Sequence, residues 1–244
     1  MVCLKGYEDL LEKSIQRRRS DAELRERYLG IARKYASELA TICPFVKTIA
    51  LCGSLATGGF SEEDDIDLNI ITEDGSRYIT YLAANLLGLK YSLGLRGKPV
   101  DRLHRMPLLP KVICVNLIVE EAWTKPFARQ DEQMAFELLV SRPFYGAEYF
   151  RRMLESNLWL NLFFPQIYQN EVGQEVRAAK TPFQRALRGV CRSRHIRLLL
   201  DRICRMISWA LYEYVHWTRR KDQEASERVS YIKRVKEPYE VFQD

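Results

Sequence analysis

Two hydrophobic runs joined by a turn-rich stretch, at residues 49–72, constrain the fold of this chain more than any other feature. The second run opens with Asp65 and Asp67 on alternate positions, with Ile66 between them. Side chains alternate across a β-strand, so both aspartates are expected on one face and Ile66 on the other. The segment therefore predicts two neighbouring strands, with a pair of carboxylates at the start of the second strand.

This pair of carboxylates and the turn before it have the chemistry of a metal and phosphate site. Adjacent carboxylates repel each other unless a cation lies between them, and Mg²⁺ is commonly bound by one or two carboxylates together with substrate phosphates. The first run ends in Gly53 and Ser54. Glycine lets a backbone approach a phosphate closely, and a hydroxyl and nearby amides can donate to its oxygens. We therefore expect Asp65 and Asp67 to bind the metal, and Gly53 and Ser54 to bind the phosphates.

The order of these elements resembles the DNA polymerase β-like nucleotidyltransferase superfamily. The shared pattern is a hydrophobic strand, Gly-Ser, a spacer and then Asp-x-Asp opening the next strand, and the spacer here runs over ten residues from Leu55 to Asp64. The resemblance covers about residues 45–120. It implies a small mixed sheet with flanking helices, Mg²⁺ or Mn²⁺ as cofactor, and a nucleoside triphosphate such as ATP as donor.

The superfamily also has a third carboxylate, on a later strand, and here the chain differs. The predicted strand spans residues 111–119, and the position that matches the third acid is Asn116. An amide can coordinate a cation but cannot take a proton, so both roles of that acid are expected to be weaker. The chain is also similar to bacterial nucleotidyltransferase-domain proteins of uncharacterised function that share a Cys-x-Asn strand and a Pro-x-Tyr-Gly segment. Here these read Cys114-Val-Asn116 and Pro143-Phe-Tyr-Gly146.

Other charged residues near the site are expected to be ordinary surface groups, because charged side chains are mostly exposed. The acids that could replace the third carboxylate are Glu120, Glu121, Asp101, Glu73 and Asp74, with Asp64 as a turn former. The cations that could reach a triphosphate are Lys90, Arg96, Lys98, Arg102 and Arg105.

Composition is ordinary for a soluble globular protein, with 47% hydrophobic and 29% charged residues and no apolar run of membrane-spanning length. The six cysteines show no zinc-ligand spacing and are expected to be buried thiols, and the three histidines match no ligand pattern. The net charge of +6 favours anionic partners, and the basic helical region leaves nucleic acid among them. We expect a cytoplasmic protein without a membrane span.

Hydrophobic spacing predicts an α/β (α+β) architecture in which a nucleotidyltransferase core is followed by a helical C-terminal region. The predicted strands are 46–52, 65–72 and 111–119, and the predicted helices are 22–41, 76–88, 131–140, 148–160 and 195–221. A division into a core at 1–124 and a helical region at 125–244 follows. In the last helix, an apolar stripe that includes Leu199, Ile203 and Ile207 is expected to pack against other helices.

Two functions fit these observations. The first is metal-dependent transfer of a nucleoside monophosphate to a hydroxyl acceptor, which the sequence leaves open as a small molecule, a protein or RNA. Catalysis would involve Asp65, Asp67 and Asn116. The second is a catalytically weakened nucleotide- or nucleic-acid-binding protein with the same fold, which the Asn116 substitution motivates. A carboxylate near the aspartate pair would favour the enzyme, because general-base help is worth about a hundredfold or more.

Overall fold

The computed structural model describes residues 22–99, 109–164, 175–223 and 226–227. In these residues four strands form one sheet, β1 (Val46–Leu51), β2 (Ile66–Thr72), β3 (Ile113–Glu120) and β4 (Arg142–Tyr145). The strand order is β3-β2-β1-β4, with β1 antiparallel to both β2 and β4 and β2 parallel to β3. The small mixed sheet with flanking helices confirms the predicted fold class.

Eight α-helices accompany the sheet in the described residues. They are α1 (Ala22–Ile42), α2 (Gly53–Thr57), α3 (Arg77–Gly94), α4 (Glu132–Val140), α5 (Ala147–Glu155), α6 (Leu160–Phe163), α7 (Pro182–Val190) and α8 (Arg194–Arg219). The α3 helix connects the parallel strands β2 and β3, as a crossover between parallel strands usually does.

The two faces of the sheet have separate cores. Ile66, Leu68 and Ile70 point to one face, where they are completely buried in a core shared with α1 and α3. Ile71, Leu117 and Val119 point to the other face, where α4 and α5 cover them. The side chains of Asp67 and Asn69 belong to this second face because they alternate with the first set along β2.

Two expectations for the later part of the chain are wrong. Residues beyond 123 were expected to be helical, yet β4 pairs with the edge of β1. The strand is only four residues long, so hydrophobic periodicity has too few positions to distinguish it from a helix. The division of the chain at residue 124 stays a prediction, and the sheet includes residues from both sides of it.

Most of the apolar stripe of α8 is exposed in the described structure, although Leu200 packs against the core shared by α1 and α3. Leu199, Ile203 and Ile207 are 59%, 43% and 46% exposed, whereas Asp201 and Ser208 are buried. The helix docks on α3 through a polar contact, because the Asp201 carboxylate accepts the Tyr78 and Ile79 backbone N–H groups at 2.8 and 2.9 Å. Tertiary capping of α3 therefore sets the orientation of α8.

In the part of the chain that the structure describes, we find no helix with the length and apolar character needed to cross a bilayer.

Candidate functional site

The aspartate pair lies at the beginning of β2, where it meets β3. Asp67 pairs directly with Cys114 on the neighbouring parallel strand, so both side chains lie on the same face. Ligand atoms of Asp65, Asp67 and Cys114 all lie within 4.8 Å of one another. The structure therefore brings the two predicted metal ligands together and adds a thiol beside them.

A register shift in the sheet separates Asn116 from this cluster. Leu68 on β2 pairs with Val115 on β3, and the next residue, Asn69, pairs with Leu117. Asn116 is therefore an additional residue on β3, as in a β-bulge. Its amide nitrogen lies 3.2 Å from Asn69 Oδ1. Asn116 therefore belongs to a polar network next to the cluster, and Cys114 is the β3 residue closest to Asp67.

Gly53 is the position where the turn touches the aspartate pair. Its φ of +63° lies in the left-handed region, and a Cβ atom added there would lie 2.3 Å from Asp67 Oδ2. Both the conformation and the space require glycine. The turn after β1 therefore presses its backbone directly against the carboxylate that the metal would use.

Ser54 and the loop that follows are fixed by Asp64. The Ser54 hydroxyl donates to Asp64 Oδ2 at 2.9 Å, and the Ser61 backbone N–H donates to the same oxygen at 2.9 Å. A carboxylate that accepts both groups closes the connection between β1 and β2. Asp64 thus acts as a turn former, and Ser54 lies in the same turn as Gly53.

Lys111 places an ammonium group in the cluster. Its Nζ lies 3.1 Å from Asp65 Oδ2 and 2.8 Å from Cys114 Sγ. Burial by itself lowers the pKa of Lys111, but the neighbouring Cys114 and Asp65 raise it above its usual value. The lysine is therefore charged at neutral pH and offsets part of the negative charge of the aspartates.

The raised pKa of Asp67 shows that the two aspartates repel each other when no divalent ion is bound. Burial, followed by repulsion from Asp65, raises the pKa of Asp67 to about 7, although Lys111 and a hydrogen bond from Cys114 lower it. Burial and the neighbouring Asp65 carboxylate thus favour the protonated form of Asp67. A bound divalent ion would stabilise the ionised form of Asp67 and lower its pKa.

Sequence reasoning missed Glu137, which reaches the same face from α4. Asn116 Nδ2 donates to Glu137 Oε1 at 2.7 Å, and Asn69 Nδ2 lies 3.3 Å from that oxygen. Burial raises the pKa of Glu137, while hydrogen bonds from Cys52, Asn69 and Asn116 lower it. The buried network therefore contains a carboxylate beside Asn116.

Local sequence explains why α4 presents this residue. Asp131 caps the helix by accepting the Met134 N–H at 2.9 Å, and Met134 and Leu138 then face the core under the sheet. Glu137 follows Met134 by three positions, so it lies close to the same helix face. An acid flanked by core residues on an amphipathic helix is the signal that could have identified it.

The acids considered from sequence do not gather at the site. Glu120 ends β3 and Glu121 pairs with Lys47 and Lys125, at the opposite end of the strands from Asp65. Glu73 pairs with Arg188 and Arg197, and Asp74 accepts the Ala122 N–H. Asp101 lies outside the described residues.

The predicted cations have other roles in the described structure. Lys90 pairs with Glu38 at 2.8 Å, and Lys98 Nζ donates to the Glu62 carbonyl at 2.7 Å. Arg96 is exposed, and residues 102 and 105 lie outside the described ranges. Lys111, which the sequence assigned only to a strand, contacts Asp65 through its ammonium group.

Residues 32–131 match the family model described as a nucleotidyltransferase domain. This confirms the resemblance to the DNA polymerase β-like superfamily. The matched segment runs from α1 to the Asp131 cap, so it contains the aspartate pair, Gly53 and Cys114 and ends six residues before Glu137. No curated protein and no solved structure matches the chain.

Proposed function

We propose that this chain, whose residues 32–131 form a nucleotidyltransferase domain, transfers a nucleoside monophosphate from a nucleoside triphosphate to a hydroxyl acceptor. The single observation that carries this proposal is the contact between Gly53 and Asp67. A phosphate-binding turn and a metal-binding carboxylate must lie this close for one ion to contact both the protein and the triphosphate.

The donor set fits a divalent ion bound through Asp65 and Asp67. Two carboxylates leave the other coordination positions of a Mg²⁺ or Mn²⁺ ion to water and phosphate oxygens, as is usual for such sites. The third group, Cys114, is less suited to Mg²⁺, because burial raises the pKa of its thiol and because sulfur is a soft ligand. When bound, the ion would neutralise the phosphate charge that develops during transfer.

The remaining parts of the site would position the triphosphate. The Gly53 backbone approaches Asp67, and Ser54 follows Gly53 in the chain, so the phosphates of a metal-bound nucleotide would lie next to this segment. The Ser54 hydroxyl donates its single proton to Asp64, so Ser54 would bind a phosphate through its backbone N–H, or through its hydroxyl after rotation away from Asp64. We assign Gly53 and Ser54 to phosphate binding and Asp65 and Asp67 to metal binding.

Glu137 favours transfer over binding alone. The Asn116 side chain cannot take a proton, but it donates to a carboxylate that can. In this proposal Glu137 holds Asn116 and Asn69 in place and is close enough to Asp67 to raise the pKa of that carboxyl group. Glu137 would supply the negative charge that Asn116, at the third-acid position on β3, lacks.

The proposal is tested by calorimetric titration of ATP, GTP, CTP and UTP into the protein, first with Mg²⁺ and then with EDTA. We expect one of the triphosphates to bind only with the metal, and Asp67→Asn to weaken this binding by about a hundredfold, because a buried charged ligand is lost. Release of pyrophosphate from the bound nucleotide would then be measured with candidate acceptors.

Asp74→Asn is the matched control. Asp74 follows the other end of β2, where it accepts the Ala122 N–H, and asparagine keeps that acceptor oxygen. The control should bind nucleotide like the wild type. Equal nucleotide affinity in wild type and Asp67→Asn would contradict the proposed site.

A nucleotide-binding protein with little transfer activity is the second candidate, and the amide at Asn116 is the observation that favours it. It predicts the same metal-dependent affinity without pyrophosphate release. Glu137→Gln separates the two candidates, because loss of pyrophosphate release with unchanged nucleotide affinity requires transfer activity in the wild type.

A further inference from the structure

The ammonium group of Lys111 lies against two of the groups in the candidate metal cluster. Its Nζ contacts Asp65 Oδ2 at 3.1 Å and Cys114 Sγ at 2.8 Å. Both groups belong to the three whose ligand atoms lie within 4.8 Å of one another. The lysine therefore bonds to two of the three candidate ligands of the same ion.

The position of Lys111 in the chain limits how far it can move. It precedes β3 by two residues, and Val112 accepts the Ile66 N–H through its carbonyl at 2.9 Å. The backbone beside Lys111 is thus hydrogen bonded to the start of β2, next to Asp65. Only the side chain can leave, and about a third of it is exposed, so an outward rotation is open to it.

We propose that Lys111 is a tethered cation that competes with the divalent ion for Asp65, so that metal loading displaces the ammonium group from the cluster. The inference deepens the proposed function, since it rests on the same pair of aspartates as metal ligands. Lys111 stabilises the pair when no ion is bound. After displacement, its charge lies beside the place of the triphosphate, where it can pair with a phosphate oxygen.

The competition follows from charge and distance. A unit positive charge about 3 Å from the carboxylate must either leave or repel an incoming divalent ion, and the interaction is large even at an effective dielectric constant of about 20. In this competition the Cys114 sulfur, a soft ligand, holds the lysine and does not bind the metal. Cys114 therefore has a role that Mg²⁺ chemistry does not require.

The test measures Mn²⁺ binding to the nucleotide-free protein. Electron paramagnetic resonance detects the free ion and so gives the fraction that is bound. Lys111→Met keeps most of the side-chain volume and removes the charge, so we expect Mn²⁺ to bind about tenfold more tightly or better. Lys111→Arg keeps the charge and should bind Mn²⁺ no more tightly than the wild type. Lys90→Met removes one charge from the Glu38 pair on α1 and α3 and should also leave the affinity unchanged.

A thermal melt gives a second readout that does not need catalysis. In EDTA, Lys111→Met should melt at a lower temperature than the wild type, because Asp65 loses its ion pair with Lys111. Added Mn²⁺ should raise its melting temperature by more than that of the wild type. If Lys111→Met does not fold, Lys111→Gln takes its place in both experiments.

The outcomes separate this inference from the proposed function. Unchanged Mn²⁺ affinity and an unchanged gain of melting temperature in Lys111→Met would overturn the inference, while loss of nucleotide binding in Asp67→Asn would leave the function standing. Tighter Mn²⁺ binding in Lys111→Met together with normal nucleotide binding in Asp67→Asn would support the tethered cation and overturn the function.

Discussion

Alternate residues of β2 have different roles, because one face of the strand packs in an apolar core and the other face carries the charged site. Leu68 faces α1 and α3 and is completely buried among apolar side chains. Asp67, its neighbour in sequence, faces the other side and meets Asp65, Cys114 and the Gly53 backbone. At the start of β2 one face packs apolar side chains and the other holds charges that repel each other, so packing on the opposite side helps to keep a costly site in place.

The largest loss of stability is expected from a change on the apolar face of β2. Leu68→Ala removes a fully buried side chain and leaves a cavity, which should lower the free energy of unfolding by about 2–5 kcal/mol. Chemical denaturation measures this loss. Nucleotide affinity per folded molecule should not change, and a parallel loss of affinity at full folding would show that the two faces are not separate.

A smaller effect on stability is expected at the contact between the turn and the site. Gly53→Ala forces an alanine into a left-handed conformation and brings its Cβ against Asp67, at a cost of about 1–3 kcal/mol. Metal-dependent nucleotide binding should be lost in the fraction that remains folded. Gly30→Ala is the matched control, because no atom lies within 4 Å of its added Cβ in the middle of α1; this change should be neutral or stabilising.

The charged face should also respond to pH. The folded-state pKa of Asp67 is raised from 3.8 to about 7, mainly by burial and by Asp65. Its protonation therefore contributes stability that is fully present below pH 4 and is lost as the pH rises through 7. Metal affinity should change in the opposite direction and fall by about tenfold for each pH unit below 7, since the ion binds the ionised carboxylate.

Titrations of Mn²⁺ between pH 5.5 and 8 on wild type and Asp67→Asn check this prediction. The slope should be present in the wild type and absent from whatever weak binding the variant retains. The same slope in both proteins would assign the titration to another group.

The smallest expected effect lies outside both faces, where α8 docks on α3. Asp201→Ala removes the acceptor of two backbone N–H groups at the start of α3 and should cost about 1 kcal/mol, as helix caps usually do. Asp201→Asn keeps an acceptor oxygen and should recover most of this loss in a thermal melt. Equal melting temperatures for the alanine variant and the wild type would show that the cap does not hold α8.

The sequence predicted what depends on short-range patterns. The alternation of Asp65 and Asp67 with apolar residues placed the two aspartates correctly on one face, and the position of Gly53 after a strand indicated a close backbone approach. The three predicted strands and the first helix differ from the observed ones by at most two residues at either end. These features need only neighbouring residues and the geometry of a strand.

Long-range features could not be predicted in the same way. Whether Cys114 or Asn116 lies beside Asp67 depends on a register shift between two strands, which alternation within one strand does not reveal. Glu137 is 68 residues away from its partner Asn69 along the chain. The roles of these residues stay predictions until the variants above are measured.

The most direct test of the central claim is an anomalous diffraction map of crystals grown with Mn²⁺ and a non-hydrolysable triphosphate. We predict one manganese peak at about 2.0–2.2 Å from carboxylate oxygens of both Asp65 and Asp67, with phosphate oxygens completing its coordination. An ordered nucleotide with its ion bound elsewhere, or a triphosphate that lies away from Gly53, would contradict the account.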